Sequence, residues 1–342
     1  MHITLVDDTI PFDGESPDRQ PLGGVEKAFA SLAGALAQHD HEVHVFNRAA
    51  GEIEVEGAKW QTWEGTRPTG TDVLVAHRKP ALLDFVDEAE RRTLWVPGDG
   101  AYLEKPRNLA WLHRHQPGVV FPTRRAMDDW DNEDRLRVSL IAPGVRPVFR
   151  QGGAPEPDEP PHAIATAHPA RGLPWLLDLW VEKIHPINRD AELHVYSAVL
   201  EKGARGEHIH ESFAPVLAKA KAAAGKGVVI KRPRPDPGMV RAYRAARVHL
   251  YPGVRSELYC YTLAESQACG LPAVCRPRGG ARECVVHEST GYVCDEDDAF
   301  ANAALRVLGD REIYDRLSLG ARAMQRERDW DAVAADFEAF WA

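Results

Sequence analysis

The sequence predicts an α/β protein built as two doubly wound domains of similar size. Three observations carry that expectation. Short apolar runs alternate with segments of helical periodicity along the whole chain, and such β–α–β alternation implies parallel sheets. The stretch 151–161, Gln-Gly-Gly-Ala-Pro-Glu-Pro-Asp-Glu-Pro-Pro, has no apolar residue larger than alanine and interrupts the alternation as a linker. The 342 residues are too many for one small core and suit two domains of ordinary size. Two such domains on a short linker would face each other across a cleft, a common place for a ligand.

In chain order, the first strand is expected at 3–6. A polar loop carrying Asp7, Asp8, Asp13, Glu15 and Asp18 follows, then Gly23-Gly24 and a helix over 25–37 with apolar residues at helical spacing. The next strand, at 41–46, completes a βαβ unit. Gly23-Gly24 would let backbone approach a phosphate closely, or would serve as a flexible turn. Outside a G-x-G-x-x-G pattern both readings stay open. Strands at 59–63, 72–76, 93–96, 118–121 and 138–142, with helices around 81–91, 106–115 and 124–130, complete a first domain over 1–150.

Beyond the linker, strands are expected at 162–166, 192–196, 227–230, 248–251, 272–275 and 291–294. Helices over 174–183, 213–224, 237–246, 263–268, 297–308 and 311–327 alternate with them and make a second domain over 162–328. The tail, 329–342, reads as an amphipathic helix with Trp330, Val333, Phe337, Phe340 and Trp341 toward one side, expected to pack back on the first domain.

Composition narrows the function classes. A net charge of −9 leaves no global basic field to attract nucleic acid. The five cysteines, Cys260, Cys269, Cys275, Cys284 and Cys294, form no C-x-x-C pair and read as reduced core thiols of a cytosolic protein, so no zinc site is expected. The first residues carry no charged n-region and only a short apolar run, which predicts no signal peptide. No run approaches the ~18 apolar residues of a membrane span.

One stretch carries candidate chemistry. Glu257 and Glu265 lie eight residues apart, the first in a loop after the strand at 248–251, the second in a helix that Gly270-Leu-Pro272 ends. In open α/β sheets, ligands bind where loops leave the carboxyl ends of strands, and a helix start offers N–H groups to an anion. The stretch would therefore suit a ligand both phosphorylated and rich in hydroxyls. Two solvated surface acids are the alternative that spacing alone leaves open.

With its flanks, Glu257-(seven residues)-Glu265 followed by Ala-Cys-Gly-Leu-Pro-Ala-Val resembles the E-x7-E signature of the retaining GT-B glycosyltransferases of family GT4. Gly23-Gly-Val-Glu26, Ile141-Ala-Pro-Gly-Val-Arg-Pro-Val-Phe149, Arg171-Gly172 and Arg278-Gly-Gly-Ala-Arg-Glu283 resemble further segments of that family, so the likeness covers most of the chain. It implies a GT-B fold of two Rossmann-like domains and transfer of a sugar, with retention, from a nucleoside diphosphate donor to a glycan, glycolipid or small-molecule hydroxyl acceptor. It implies no cofactor and no metal. Glu257 would hold hydroxyls of the donor sugar and Glu265 those of the ribose. Tyr259, Cys260, Tyr261 and Thr262 would line the donor, chiefly through backbone N–H groups. Arg171 would clamp the diphosphate, and Gly24 would let the first domain's loop meet it. Lys231 and Arg232, within the basic run Lys226–Arg234, would add phosphate or base contacts, with a solvated loop as the alternative.

The chain also departs from the family's pattern. A cation usual a few residues before Lys-Gly is replaced by Ala165-Thr-Ala-His168, so Lys231 or Arg232 would have to substitute for it, or Arg171 act alone. A histidine usual after the strand at 93–96 is replaced by Pro97-Gly-Asp99-Gly, which makes Asp99 the nearest candidate and His77 the other. Bulky Tyr259-Cys-Tyr261 stands where glycines are usual. The competing functions are a GT-B sugar-nucleotide epimerase or phosphorylase-like enzyme, and a nucleotide-sugar-binding subunit without catalysis. The expected setting is the cytoplasm. Arg107, Trp111, His113, Arg114, Arg124 and Arg125 form either a patch for the inner face of the membrane or an ordinary solvated face.

Overall fold

The computed structural model describes residues 1–128 and 130–342, and the chain divides into two compact units. The first holds Met1–Arg146 and Arg328–Ala342, the second Pro147–Glu327.

The first unit is built on an eight-stranded sheet: β1 (His2–Val6), β2 (Glu42–Asn47), β3 (Ile53–Val55), β4 (Ala58–Thr62), β5 (Gly70–His77), β6 (Glu88–Trp95), β7 (Gly118–Phe121) and β8 (Val138–Leu140). The spatial order is β3-β4-β2-β1-β5-β6-β7-β8, parallel except for the β3–β4 hairpin. That hairpin turns on Glu56 and Gly57, with φ of +52° and +86°. A two-residue turn with both φ positive matches the twist of the strands it joins. The tail helix, Trp330–Trp341, packs against the helix Gly24–Gln38. Glu338 accepts from His39 Nδ1 at 2.8 Å and His41 Nε2 at 2.9 Å, and Trp341 Nε1 donates to Thr93 Oγ1 at 2.9 Å.

One expected helix is absent. Residues 81–91 form a single 3-10 turn, Pro80–Asp84, and then the start of β6. The Arg92 guanidinium donates to the carbonyls of Leu83, Val86, Asp87 and Ala89, groups a helix would have used internally. Parallel pairing of β6 with β5, from Gly70↔Glu88 to His77↔Trp95, overrides the helix-forming composition. Of the helix expected over 124–130, Arg124–Met127 is helical, capped by the Thr123 hydroxyl, and residue 129 lies outside the described residues. In the helix Pro106–His115 only Leu112 is buried, and among the charges read as either a membrane patch or a solvated face, His113 pairs with Asp134 and Arg114 with Asp84.

The second unit has six parallel strands: β9 (His162–Ala165), β10 (Glu192–Tyr196), β11 (Val228–Lys231), β12 (Val248–Tyr251), β13 (Ala273–Cys275) and β14 (Gly291–Val293). Their order, β11-β10-β9-β12-β13-β14, reverses direction between β9 and β12. Every residue of β9, β12 and β13 is buried, as expected of strands covered on both faces. The segment 151–161, expected as a linker, instead packs on this unit. Arg244 donates to the carbonyls of Gly153 and Ala154, Asp158 N–H to that of Ala245, and Arg247 pairs with Glu159 at 2.9 Å. Its prolines and acids remain irregular because isolated contacts from the unit, not a ladder, satisfy the backbone. A helix not expected from the sequence, Ala198–Ala204, starts on a Ser197 cap. Among the described residues no helix is long and apolar enough to cross a membrane.

Candidate functional site

The reversal between β9 and β12 defines a crevice at their carboxyl ends, the position where doubly wound sheets hold ligands. Two loops leave it. The loop after β9 runs through Arg171-Gly172 into the helix Leu173–Leu179, and the loop after β12 runs through Glu257 into the helix Tyr261–Ala268. Gly172 has φ of +78°, and a Cβ there would lie 2.7 Å from Pro252 Cβ, so the turn that presents Arg171 rests directly on the second loop. Only a residue without a side chain fits that approach.

Glu257 is half-buried. Burial pushes its carboxyl above the ordinary value, while a hydrogen bond from the Tyr251 hydroxyl and the charge of Arg171 pull it back. The sheet thus brings the proposed sugar ligand and the proposed diphosphate clamp together. Tyr251 was not singled out from the sequence. It ends β12, is 2% exposed, and holds the carboxylate from beneath.

Gly279 and Gly280 fix the backbone of the Glu257 loop. A Cβ on Gly279, whose φ is +57°, would fall 2.2 Å from Val254 O and 2.3 Å from Glu257 O; one on Gly280 would fall 2.4 Å from Leu258 O. Gly280 N–H donates to Glu257 O at 2.7 Å. The sequence showed this glycine pair, but its role depends on a loop twenty residues away. Gly279→Ala is expected to destabilise the protein by about 1–3 kcal/mol from backbone strain alone. The overlap with two carbonyls adds to that, and denaturant unfolding will measure the sum.

The remaining candidates divide into groups. Tyr259 and Tyr261 are partly exposed, with ring centroids 4.7 Å apart at 67°. Thr262 is the second residue of the helix Tyr261–Ala268, and its hydroxyl lies 2.8 Å from Thr166 Oγ1. Glu265 sits in the same helix and is 7% exposed. The Cys260 side chain turns inward. It is 1% exposed and packs among Tyr251, Leu263, Cys275 and Cys284, so only its backbone remains for a ligand. A hydrogen bond with Cys284, together with burial, pushes its thiol well above the ordinary value, which keeps it protonated. All five cysteines are buried and free of disulfides. Lys231 ends the edge strand β11 and Arg232 follows it, with β10 lying between them and the loop of Arg171.

Three candidates belong to the first unit. Gly24 opens the helix Gly24–Gln38. The Asp99 carboxylate caps the 3-10 turn Gly100–Glu104 by accepting from Ala101 N–H at 2.8 Å. His77 is corrected as a residue that could meet a sugar: it is 0% exposed, stacked on Phe29 with centroids 4.9 Å apart, and bonded through Nδ1 to Asp7 at 2.5 Å.

Two doubly wound sheets of this topology define the class, and comparison with solved structures gives the fold as GT-B. Sucrose-phosphate synthase from Thermosynechococcus elongatus superposes with a TM-score of 0.72 at 14% identity, over 99% of this chain and 98% of that one. The Anabaena protein HepE, in complex with UDP and glucose, superposes with a TM-score of 0.71 at 13% identity, over 99% and 98%. Residues 163–310 match the family Glycosyl transferases group 1. A D-inositol 3-phosphate glycosyltransferase from Xylanimonas cellulosilytica is 39% identical over 95 residues, 27% of this chain and 22% of that protein. The match thus covers less than a quarter of that relative's length. The segment 163–310 is thus similar in sequence to the glycosyl transferases of group 1, and the chain that carries it has the GT-B fold.

Proposed function

We propose that the protein transfers a sugar from a nucleoside diphosphate donor to a hydroxyl acceptor, with retention at the anomeric carbon, and that the second unit binds the donor. The observation that carries the reading is the convergence of the Arg171-Gly172 and Glu257 loops at the β9–β12 reversal, where Gly172 rests on Pro252, inside the segment that matches the family. A carboxylate is a good acceptor for sugar hydroxyls, and a guanidinium matches phosphate oxygens two at a time. The relatives are consistent with the donor class: one is named for glycosyl transfer and one was solved with UDP and glucose.

In this reading Glu257 binds the sugar, Glu265 the ribose, and Arg171 the diphosphate, with Lys231 and Arg232 nearer the base. The bond from the anomeric carbon to the diphosphate breaks, and the acceptor oxygen bonds to the same face. The acceptor's proton passes to the departing phosphate oxygen. Arg171 stabilises the charge that grows on that phosphate, so it contributes to rate as well as to binding. No enzymic nucleophile is assigned, and Cys260 as a protonated thiol offers none. The reading assigns no metal to the reaction and places it in the cytoplasm, in polysaccharide or glycolipid synthesis.

A thermal-shift screen of UDP, GDP, ADP and their sugar conjugates tests the donor site. One nucleoside diphosphate is expected to raise the melting temperature, since a ligand at 100 times its Kd stabilises the native state by about 2.7 kcal/mol. Arg171→Ala should weaken that ligand roughly 10-fold or more, the loss of a charge-assisted contact. A panel in which nothing shifts the melting temperature would sink the proposal.

A further inference from the structure

Beneath the start of the helix Tyr261–Ala268 runs a chain of polar groups in otherwise apolar surroundings. His249, on β12, is 0% exposed. Its Nδ1 lies 2.8 Å from Ser266 Oγ and its Nε2 lies 3.0 Å from Thr166 Oγ1, which in turn lies 2.8 Å from Thr262 Oγ1. Ser266 Oγ is also 3.1 Å from the Leu263 carbonyl. The chain therefore ties β12, the loop after β9 and two positions of the helix that follows Glu257. Tyr243 stacks on the imidazole with centroids 6.2 Å apart, and Tyr251 meets it edge-on at 5.5 Å, closing it off from solvent.

We propose that Ser266, His249 and Thr166 are positioning residues that aim the Thr262 hydroxyl, as a donor, at the anionic part of the ligand held at this helix start. The inference rests on the donor-site reading above and adds to it a role for buried groups that touch no ligand.

The argument is one of proton counting. Neutral imidazole and each hydroxyl carry one proton apiece, so two polarities keep donation head-to-tail from one end of the chain to the other. In the first, Thr262 donates to Thr166, Thr166 to Nε2, Nδ1–H to Ser266, and Ser266 to the Leu263 carbonyl. Every proton is used internally, and Thr262 offers a ligand only lone pairs. In the second, Ser266 donates to Nδ1, Nε2–H to Thr166, and Thr166 to Thr262, so the Thr262 proton points outward. A phosphate oxygen at neutral pH accepts hydrogen bonds, so it selects the second polarity. Thr262 is the second residue of its helix, and the first turn of a helix is where backbone N–H groups suit an anion. The exchange moves one proton from Nδ1 to Nε2, carried by water that a local opening of the helix start admits, with no net gain or loss of charge. The bond given up is the 3.1 Å contact of Ser266 with Leu263, the longest of the set.

Long-range proton–nitrogen spectra of the full chain read the tautomer of His249 directly, with His249→Gln identifying its signals among the 15 histidines. The Nδ1–H form is expected in the free protein and the Nε2–H form with saturating UDP, or with GDP if that is the nucleotide bound. Thr262→Val and Thr166→Val should each weaken that nucleotide about 10-fold, and the double variant no more than either alone, because one pathway is cut in all three. Binding with the tautomer unchanged, or additive losses in the double variant, would overturn the inference while leaving the donor site in place. Failure of both nucleotides to bind the wild-type protein would overturn the donor-site reading and the relay with it. Should Thr166→Val fail to fold, the wild-type tautomer decides alone.

Discussion

Glu257→Gln is expected to cut sugar transfer roughly 100-fold or more while leaving the protein more stable at neutral pH than the wild type. The two effects have one cause. The Glu257 carboxyl is pushed above its ordinary value of 4.5 by burial, against the pull of Tyr251 and Arg171. Ionising it in the folded state therefore costs free energy that the unfolded chain does not spend. That cost is absent below the unfolded pKa and grows as pH rises through it. Glutamine keeps the shape and can still accept from Tyr251, but carries no charge to desolvate. The variant's gain in melting temperature should thus be present at about pH 7 and vanish near about pH 4. The activity loss follows because an amide holds sugar hydroxyls less firmly than a carboxylate, and small misplacements of a reacting centre can cost about 100-fold. A group kept at a cost in stability is one retained for function. Equal or lower stability together with full transfer would assign Glu257 an ordinary structural role.

The parts legible in the sequence were those set by local pattern. The buried strands of the second unit appear as short apolar runs because both of their faces are covered, and the E-x7-E spacing brings Glu257 and Glu265 to one loop–helix junction. What local pattern could not supply came from long-range contacts. The residues at 81–91 have helix-forming composition, yet Arg92 and the partner strand β5 claim them for other structure. Cys260 lies between partly exposed tyrosines in sequence but turns inward toward Cys284, 24 positions away. Gly279-Gly280 is visible as a glycine pair, whereas the loop it clamps is visible only in three dimensions. His249 is a titratable residue inside a fully buried strand, and such a group needs partners, a signal that the apolar run around it masks. The same reasoning applies to His77, whose partner Asp7 lies seventy residues earlier, at the end of a neighbouring strand.

That pair carries the second large effect. Asp7→Ala is expected to cost the first unit about 3–5 kcal/mol, the usual consequence of removing one member of a buried, hydrogen-bonded pair. Asp7 and His77 are both fully buried at the carboxyl ends of β1 and β5, where the order of the first sheet also reverses. Burial opposes ionisation of Asp7, but the hydrogen bonds from His77 Nδ1 and from the Thr9 N–H and hydroxyl outweigh it and lower the carboxyl to about 2. A depressed carboxyl contributes stability that is complete above its unfolded value of 3.8 and is lost as pH falls toward 2. The wild type should therefore lose stability across that window, and the alanine variant should lose correspondingly less there. The consequence extends to the glycine loop. Arg78, with its φ of +66° and its Nε 3.9 Å from Asp7, donates to Glu26 at 2.5 Å, and Glu26 folds back over Gly23 at the start of the helix Gly24–Gln38. Without Asp7, the guanidinium loses the charge that holds it beside β1, and the turn at Gly23-Gly24 loses its support. Hydrogen exchange resolves the effect by unit: amides of β1, β5 and the first turn of that helix should lose protection by the stated amount, while those of β9 and β12 stay as they are. Uniform loss across both sheets would mean that the pair stabilises the whole chain rather than the crevice end of the first sheet.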